Sequence, residues 1–139
     1  MGRLPTRSTS LLFMRTAATN ATEHPDVDPD ALTRLERFGG SKLLREMIAL
    51  FVEVAPNRLL AAERAVAVGN LTTAENELHS LKSSAAQLGA MKLSRLSEQG
   101  EMLARGEMVT GITEILVQCR GELARVESWL AGEREARGA

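Results

Sequence analysis

Tyrosine is absent from this 139-residue chain, tryptophan and cysteine each occur once, and phenylalanine occurs three times. So few aromatics argue against base stacking, aromatic cages and aromatic-rich β-sandwiches. The lone thiol, Cys119, excludes an internal disulfide framework and any multi-cysteine zinc site. Charge of one sign is not in excess either, since 17 Lys and Arg stand against 18 Asp and Glu. A nucleic-acid binder driven by bulk charge would be basic, so no nucleic-acid partner is expected. Long apolar runs are also missing. Near the start the longest is Leu11-Leu12-Phe13-Met14. A signal-peptide core needs roughly 7–15 apolar residues and a membrane span about 20. The expectation is a cytoplasmic chain that does not engage a membrane.

What is present is enough apolar residue, 44% of the chain, to build one domain's core. Residues 1–26 are rich in Thr, Ser, Ala and Arg, show no sustained period, and read as a flexible tail. Arg3 and Arg7 read there as solvated charges. The domain is expected over residues 27–131, with a frayed charged tail over 132–139.

From Asp28 onward the pattern is helical. Asp28 can cap a short helix with Pro29 in its first turn, and Gly39-Gly40 end it after Leu32, Leu35 and Phe38. Ser41 is placed to cap the next helix, which carries Leu44, Met47, Ile48, Phe51 and Val52. Pro56 is expected to kink or split it, and the pattern resumes with Leu59, Leu60, Ala62 and Val66 before stopping at Gly69. Asn70 can cap a helix whose inward stripe is Leu71, Ala74, Leu78, Leu81, Ala85 and Leu88. Another follows with Met91, Leu93, Leu96, Met102 and Leu103 inward and Gly100 as a weak point. Arg105-Gly106 form the next turn. The last helix is expected from about Glu107 to Leu130, with Ile112, Ile115, Leu116, Cys119, Leu123, Val126 and Leu130 inward. No stretch alternates with period two over strand length. The predicted fold is all-α: an antiparallel four-helix bundle with a short N-terminal capping helix. Glycine-rich phosphate-cradling motifs are absent, so no nucleotide site is expected.

His79 follows the core residue Leu78, and a rotation of about 100° per residue turns it onto an exposed flank. One helical turn away on the same flank lie Glu75, Lys82 and Ser83, with Ala86 two turns on. Small side chains at Ser83 and Ala86 leave room for another protein to approach the ring. A neutral imidazole nitrogen is a competent nucleophile near pH 7. Lys82 can place a positive charge beside a bound anion and Ser83 a donor. The bland alternative is a solvated histidine beside an ordinary surface lysine.

The string Glu77-Leu78-His79-Ser80-Leu81-Lys82-Ser83-Ser84-Ala85-Ala86-Gln87-Leu88-Gly89-Ala90 resembles the signature of histidine-containing phosphotransfer domains, A-x-x-x-H-x-L-K-G-S-A-x-x-L-G-A. The histidine, Leu81, Lys82, Ser84, Ala85, Leu88 and the Gly89-Ala90 pair fall in register, and the likeness in helix order runs from about Asp28 to Leu130. The resemblance implies a phosphorelay carrier. A receiver-domain aspartyl phosphate would pass its phosphoryl group to His79, and a second receiver aspartate would take it on. A hybrid histidine kinase is a further implied partner, Mg²⁺ would belong to the receiver, and this chain would bind no cofactor and work as a monomer. His79 is the implied nucleophile, Lys82 the charge stabiliser and Ser83 the small contact. Glu75, Ala86 and Gln87 are the implied partner contacts. Two positions depart from the pattern. Ser83 stands where the family most often has glycine, and Glu75 brings a negative charge that either opposes a phosphoryl group or hydrogen-bonds the ring.

The competing function is a helical interaction module that binds a receiver or kinase without carrying phosphate. A metal or haem carrier would need more ligands than His24 and His79 supply. Cys119 and Trp129 read as core residues and Met91 and Met102 as core fillers. Met47 and Ile48 fit either the core or a docking surface.

Overall fold

The computed structural model describes residues 26–138. His24, Arg3, Arg7 and nearly all of the expected tail lie outside that range. At Asp26, the last residue of that tail, the carbonyl accepts from the Lys92 N–H at 3.0 Å.

Four helices follow in order: α1 (Pro29–Ala67), α2 (Leu71–Gln87), α3 (Met91–Arg105) and α4 (Val109–Ala136). Each packs on the next, and α4 returns to α1, which closes an antiparallel bundle. Short connections between α2, α3 and α4 force neighbouring helices to run in opposite directions.

Helix α1 has two arms. Asp28 caps the first, its carboxylate accepting from the Asp30 N–H at 3.1 Å. Gly40, at φ 83° and ψ 175°, breaks the helical geometry, a conformation that costs glycine little. The first arm is the expected capping helix. Ser41 does not cap the second arm; its hydroxyl donates to Glu36 Oε2 at 3.1 Å. The second arm buries Leu44, Ile48, Phe51, Ala55, Leu59 and Ala62, at spacings of three and four. Pro56 does not split it, contrary to expectation: Gly40 is the single non-helical residue within α1. The Asn57 side-chain amide donates to the Glu53 carbonyl at 3.2 Å and supports the ladder beside the proline. Phe38, Val52 and Leu60 point to solvent, Phe38 at 87% exposure.

Helix α2 is capped as expected, Asn70 accepting from the Thr73 N–H at 3.1 Å. It buries Ala74, Leu78, Leu81 and Ala85. Gly89 closes it at φ +80°, and its carbonyl accepts from the Asp28 N–H at 2.7 Å. A Cβ on Gly89 would run into the Asp28 carbonyl and sit 3.0 Å from the Ala31 methyl. That glycine is where the first arm of α1 docks.

Helix α3 differs from expectation in its phase. Met102 is 60% exposed rather than a core filler, Met91 and Leu103 are half-buried, and the inward face is Leu93, Leu96, Ser97, Gly100, Glu101 and Ala104. Gly100 is a close-packing position: a Cβ there would lie 2.9 Å from Leu78 Cδ1 and 3.3 Å from Ile115 Cγ2. In the next turn Glu107, at φ 58°, takes the left-handed conformation.

Helix α4 starts at Val109, buries Ile112, Leu116, Cys119, Leu123, Val126 and Leu130, and leaves Ile115 and Trp129 partly covered against the core. It runs on to Ala136, past residue 132, where the charged tail is expected to begin. Arg137 explains the extension. Its guanidinium donates to Glu133 Oε1 at 3.0 Å, Glu36 Oε1 at 3.1 Å, the Pro29 carbonyl at 3.2 Å and Thr33 Oγ1 at 3.2 Å. This clasp fastens the end of α4 to the first arm of α1.

Candidate functional site

Helix α2 holds its flank rigidly because Leu78, Leu81 and Ala85 are fully buried behind it. His79 is turned outward, its side chain 59% exposed. Its Nδ1 lies 2.9 Å from Oε2 of Glu101 on α3. Glu101 is buried, and its other oxygen, Oε1, lies 2.9 Å from Lys82 Nζ. Arg105 Nη2 reaches Oε2 at 3.1 Å, while Arg105 Nε binds Glu75 Oε2 at 2.8 Å. The hydroxyl of Ser94 on α3 donates to the Lys82 carbonyl at 3.0 Å, so the two helices are pinned at the level of the site.

This set has a definite electrostatic order. Burial pushes the Glu101 carboxyl up, but the hydrogen bonds and charges of Lys82 and His79 together outweigh it and hold it below its ordinary value. An ionised carboxylate only accepts hydrogen bonds, so the proton of the neutral ring sits on Nδ1. Nε2, on the other edge of the imidazole, keeps its lone pair. The result is an oriented, largely exposed ring with one nitrogen lone pair unspent, beside a lysine. Arg105 is raised above its ordinary value, chiefly by its hydrogen bond to Glu75.

The residues expected to act together do cluster, with three changes. Lys82 is on the ring's side of the helix, but it is ion-paired with Glu101. Ser83 is exposed, and its hydroxyl donates to the His79 carbonyl at 3.3 Å instead of standing ready beside the ring. Glu75 does not bond the ring, because Arg105 takes its carboxylate. Ala86 and Gln87 are exposed further along α2. Among the described residues no three His, Cys, Asp or Glu side chains gather as ligands for a metal ion.

Glu101 and Arg105 were not singled out from the sequence. Glu101 recurs with Leu93, Ser97 and Ala104 on one helical face, and a carboxylate on a buried face must find partners. Taking Met102 and Leu103 as inward rotates the helix away from that reading. On the side of α2 that faces α1, the two helices enclose an apolar groove of about 240 Å³ lined by Met47, Leu50, Phe51, Val54 and Leu88, with Arg58, Ser84 and Gln87 among its polar residues. Met47 reaches this surface, whereas Ile48 is core at 1% exposure. Cys119 faces Ser97 in the core, and burial pushes its thiol up to about 11.

Residues 46–129 match the family model described as Hpt domain. No curated protein matches the chain. Among solved structures, histidine-containing phosphotransfer protein B from Pseudomonas aeruginosa is 22% identical, with a TM-score of 0.76 over 81% of this chain and 96% of that one. A putative histidine-containing phosphotransfer protein from rice is 18% identical, with a TM-score of 0.70 over 91% and 93% of the two chains. The Hpt domain of a sensor hybrid histidine kinase from Shewanella is 17% identical, with a TM-score of 0.64 over 80% of this chain and 95% of that one. These structures share the fold.

Proposed function

The chain belongs to the Hpt-domain family, whose function is histidine phosphotransfer in phosphorelays, and from that premise we propose that His79 Nε2 is the atom that carries the phosphoryl group. The observation behind this reading is the 2.9 Å contact of Nδ1 with a buried carboxylate, which leaves the exposed ring's other nitrogen free.

The family is one of phosphocarriers that work with receiver domains and hybrid histidine kinases. In the proposed step the Nε2 lone pair attacks phosphorus of a receiver aspartyl phosphate in line. The N–P bond forms, the P–O bond to the acyl oxygen breaks, and the aspartate leaves as a carboxylate. The ring becomes cationic while the phosphoryl group is on it. Its Nδ1 proton stays in the hydrogen bond to Glu101, which stabilises that charge. Lys82 turns part of its attraction from Glu101 to the phosphoryl oxygens. A second receiver aspartate reverses the step. Mg²⁺ is held by the receiver, and the chain takes its phosphoryl group from such a partner rather than from ATP.

Ser83 and Ala86 keep the approach to the ring low, and Gln87 leads from it toward the apolar groove, which gives a receiver's apolar surface a seat. Glu75 is held by Arg105 and takes no part in this step. Among the described residues no helix is long and apolar enough to cross a membrane. We place the protein in the cytoplasm as a single chain.

The test is transfer from a phosphorylated receiver to the wild type and to His79→Gln. Labelling of the wild type alone, by an acid-labile and alkali-stable phosphate, is expected. Equal labelling of both removes His79 from the role. Tight receiver binding with no phosphohistidine makes the protein an interaction module instead.

A further inference from the structure

Arg105 and Glu75 lie outside the step just described, yet they complete the charge around it. Arg105 Nη2 shares Glu101 Oε2 with the His79 Nδ1–H, at 3.1 and 2.9 Å. The same guanidinium is tethered through Nε to Glu75, one turn before His79 on α2. Two cations, Lys82 and Arg105, thus interleave with two carboxylates, Glu101 and Glu75. From α1, Arg58 pairs with Glu77 of α2 at 3.2 Å and not with this cluster. Helix α4 supplies no hydrogen bond or ion pair to this cluster among the described residues.

The four side chains therefore sum to zero charge when the imidazole is neutral, and Glu107 of the next turn lines the pocket that Glu75 and Arg105 share without an ion pair to either. Protonating the ring adds one positive charge. A phosphoryl group on the ring brings a negative charge of about −2. Removing Arg105 leaves the surroundings negative, which favours the non-nucleophilic imidazolium and opposes the phosphoryl group. Removing Glu75 does the reverse. It leaves Arg105 uncompensated and free to lean on the oxygen that the ring uses.

We propose that Glu75 and Arg105 form a balancing pair, acting through Glu101, that sets both the protonation of His79 and how strongly the ring holds a phosphoryl group. They are positioning residues and do not touch the reacting atoms. The second half of the proposal rests on the phosphocarrier reading; the first half does not.

Two measurements separate these. The first follows the His79 ring by NMR titration in the unphosphorylated full chain. Arg105→Gln moves the midpoint up and Glu75→Gln moves it down, each by about half a pH unit at low salt, or roughly threefold in ring protonation. The double variant returns close to wild type. The second is the equilibrium constant for transfer with a receiver domain, which docking contacts between the free partners do not alter. It falls about threefold in Arg105→Gln and rises about threefold in Glu75→Gln, and both effects shrink in high salt. Shifts of one sign in both single variants, no shift in either, or a double variant as displaced as a single one overturns the balancing pair. If even the wild type takes no phosphoryl group from any receiver, the phosphocarrier reading falls, and the ring titration still decides the pair.

Discussion

Glu101 Oε2 and His79 Nδ1 meet at 2.9 Å across the packed seam of α2 and α3, one residue buried and the other open to water. This contact ties an exposed ring to the rigid interior, so the ring's orientation is set by packing and not by solvent.

Removing that acceptor should disorder the ring. Glu101→Ala is expected to slow phosphoryl acceptance about tenfold, the usual scale for losing an orienting partner. Glu101→Gln, which keeps an acceptor oxygen, should recover part of the loss. Ring nitrogen NMR shifts check the cause: the alanine variant should lose the preference for Nδ1–H while the fold persists.

The same carboxylate makes stability depend on pH. Its folded-state titration lies below the ordinary value of 4.5, so its contribution is complete above that pH. It is lost as pH falls through the lower folded-state value. Urea midpoints measured downward from pH 6 should fall more steeply in the wild type than in Glu101→Gln. Parallel curves would show that the carboxylate is not held in its charged form by folding.

Lys82→Ala should leave the helical content intact, since the side chain packs at the rim of the site. Transfer should be slower or the phosphohistidine shorter-lived, by about tenfold for the loss of one charged contact to the phosphoryl oxygens. Circular dichroism with a timed decay of the labelled protein checks both halves, and unchanged kinetics would mean that the ammonium is dispensable.

Gly89→Ala tests the docking of the N-terminal arm. The added methyl meets the Asp28 carbonyl, and the backbone there is left-handed at φ +80°. A loss of about 1–3 kcal/mol in unfolding free energy is expected. Hydrogen exchange should show the faster opening concentrated in residues 29–38.

Much of this was readable from local periodicity. The stripe from Ala74 to Leu88 fixed the phase of α2, and with it the outward turn of His79 and the shared side of Lys82. Asp28 and Asn70 cap where their side chains allow. Non-local contacts escaped. The Glu75–Arg105 pair spans 30 positions and the Arg137–Glu36 pair 101, and no helical period links such residues. On α3 the apolar Met102 and Leu103 point to the wrong inward face, because hydrophobicity alone does not say that the carboxylate just before them will be buried and paired. Pro56 departs from expectation for a related reason: the rest of α1 packs well enough to carry one missing donor.

The Arg137 clasp separates two duties within the chain. Its acceptors, Pro29, Thr33, Glu36 and Glu133, all belong to the first and last helices, whereas the histidine flank is assembled from α2 and α3. Trimming the final residues would take away one of two holds on the first arm of α1, the other being the turn at Gly89, and would remove no side chain of the histidine flank. Wear at the tip of α4 would therefore show up first in robustness, and would reach the histidine helix only by way of the arm's dock at Gly89.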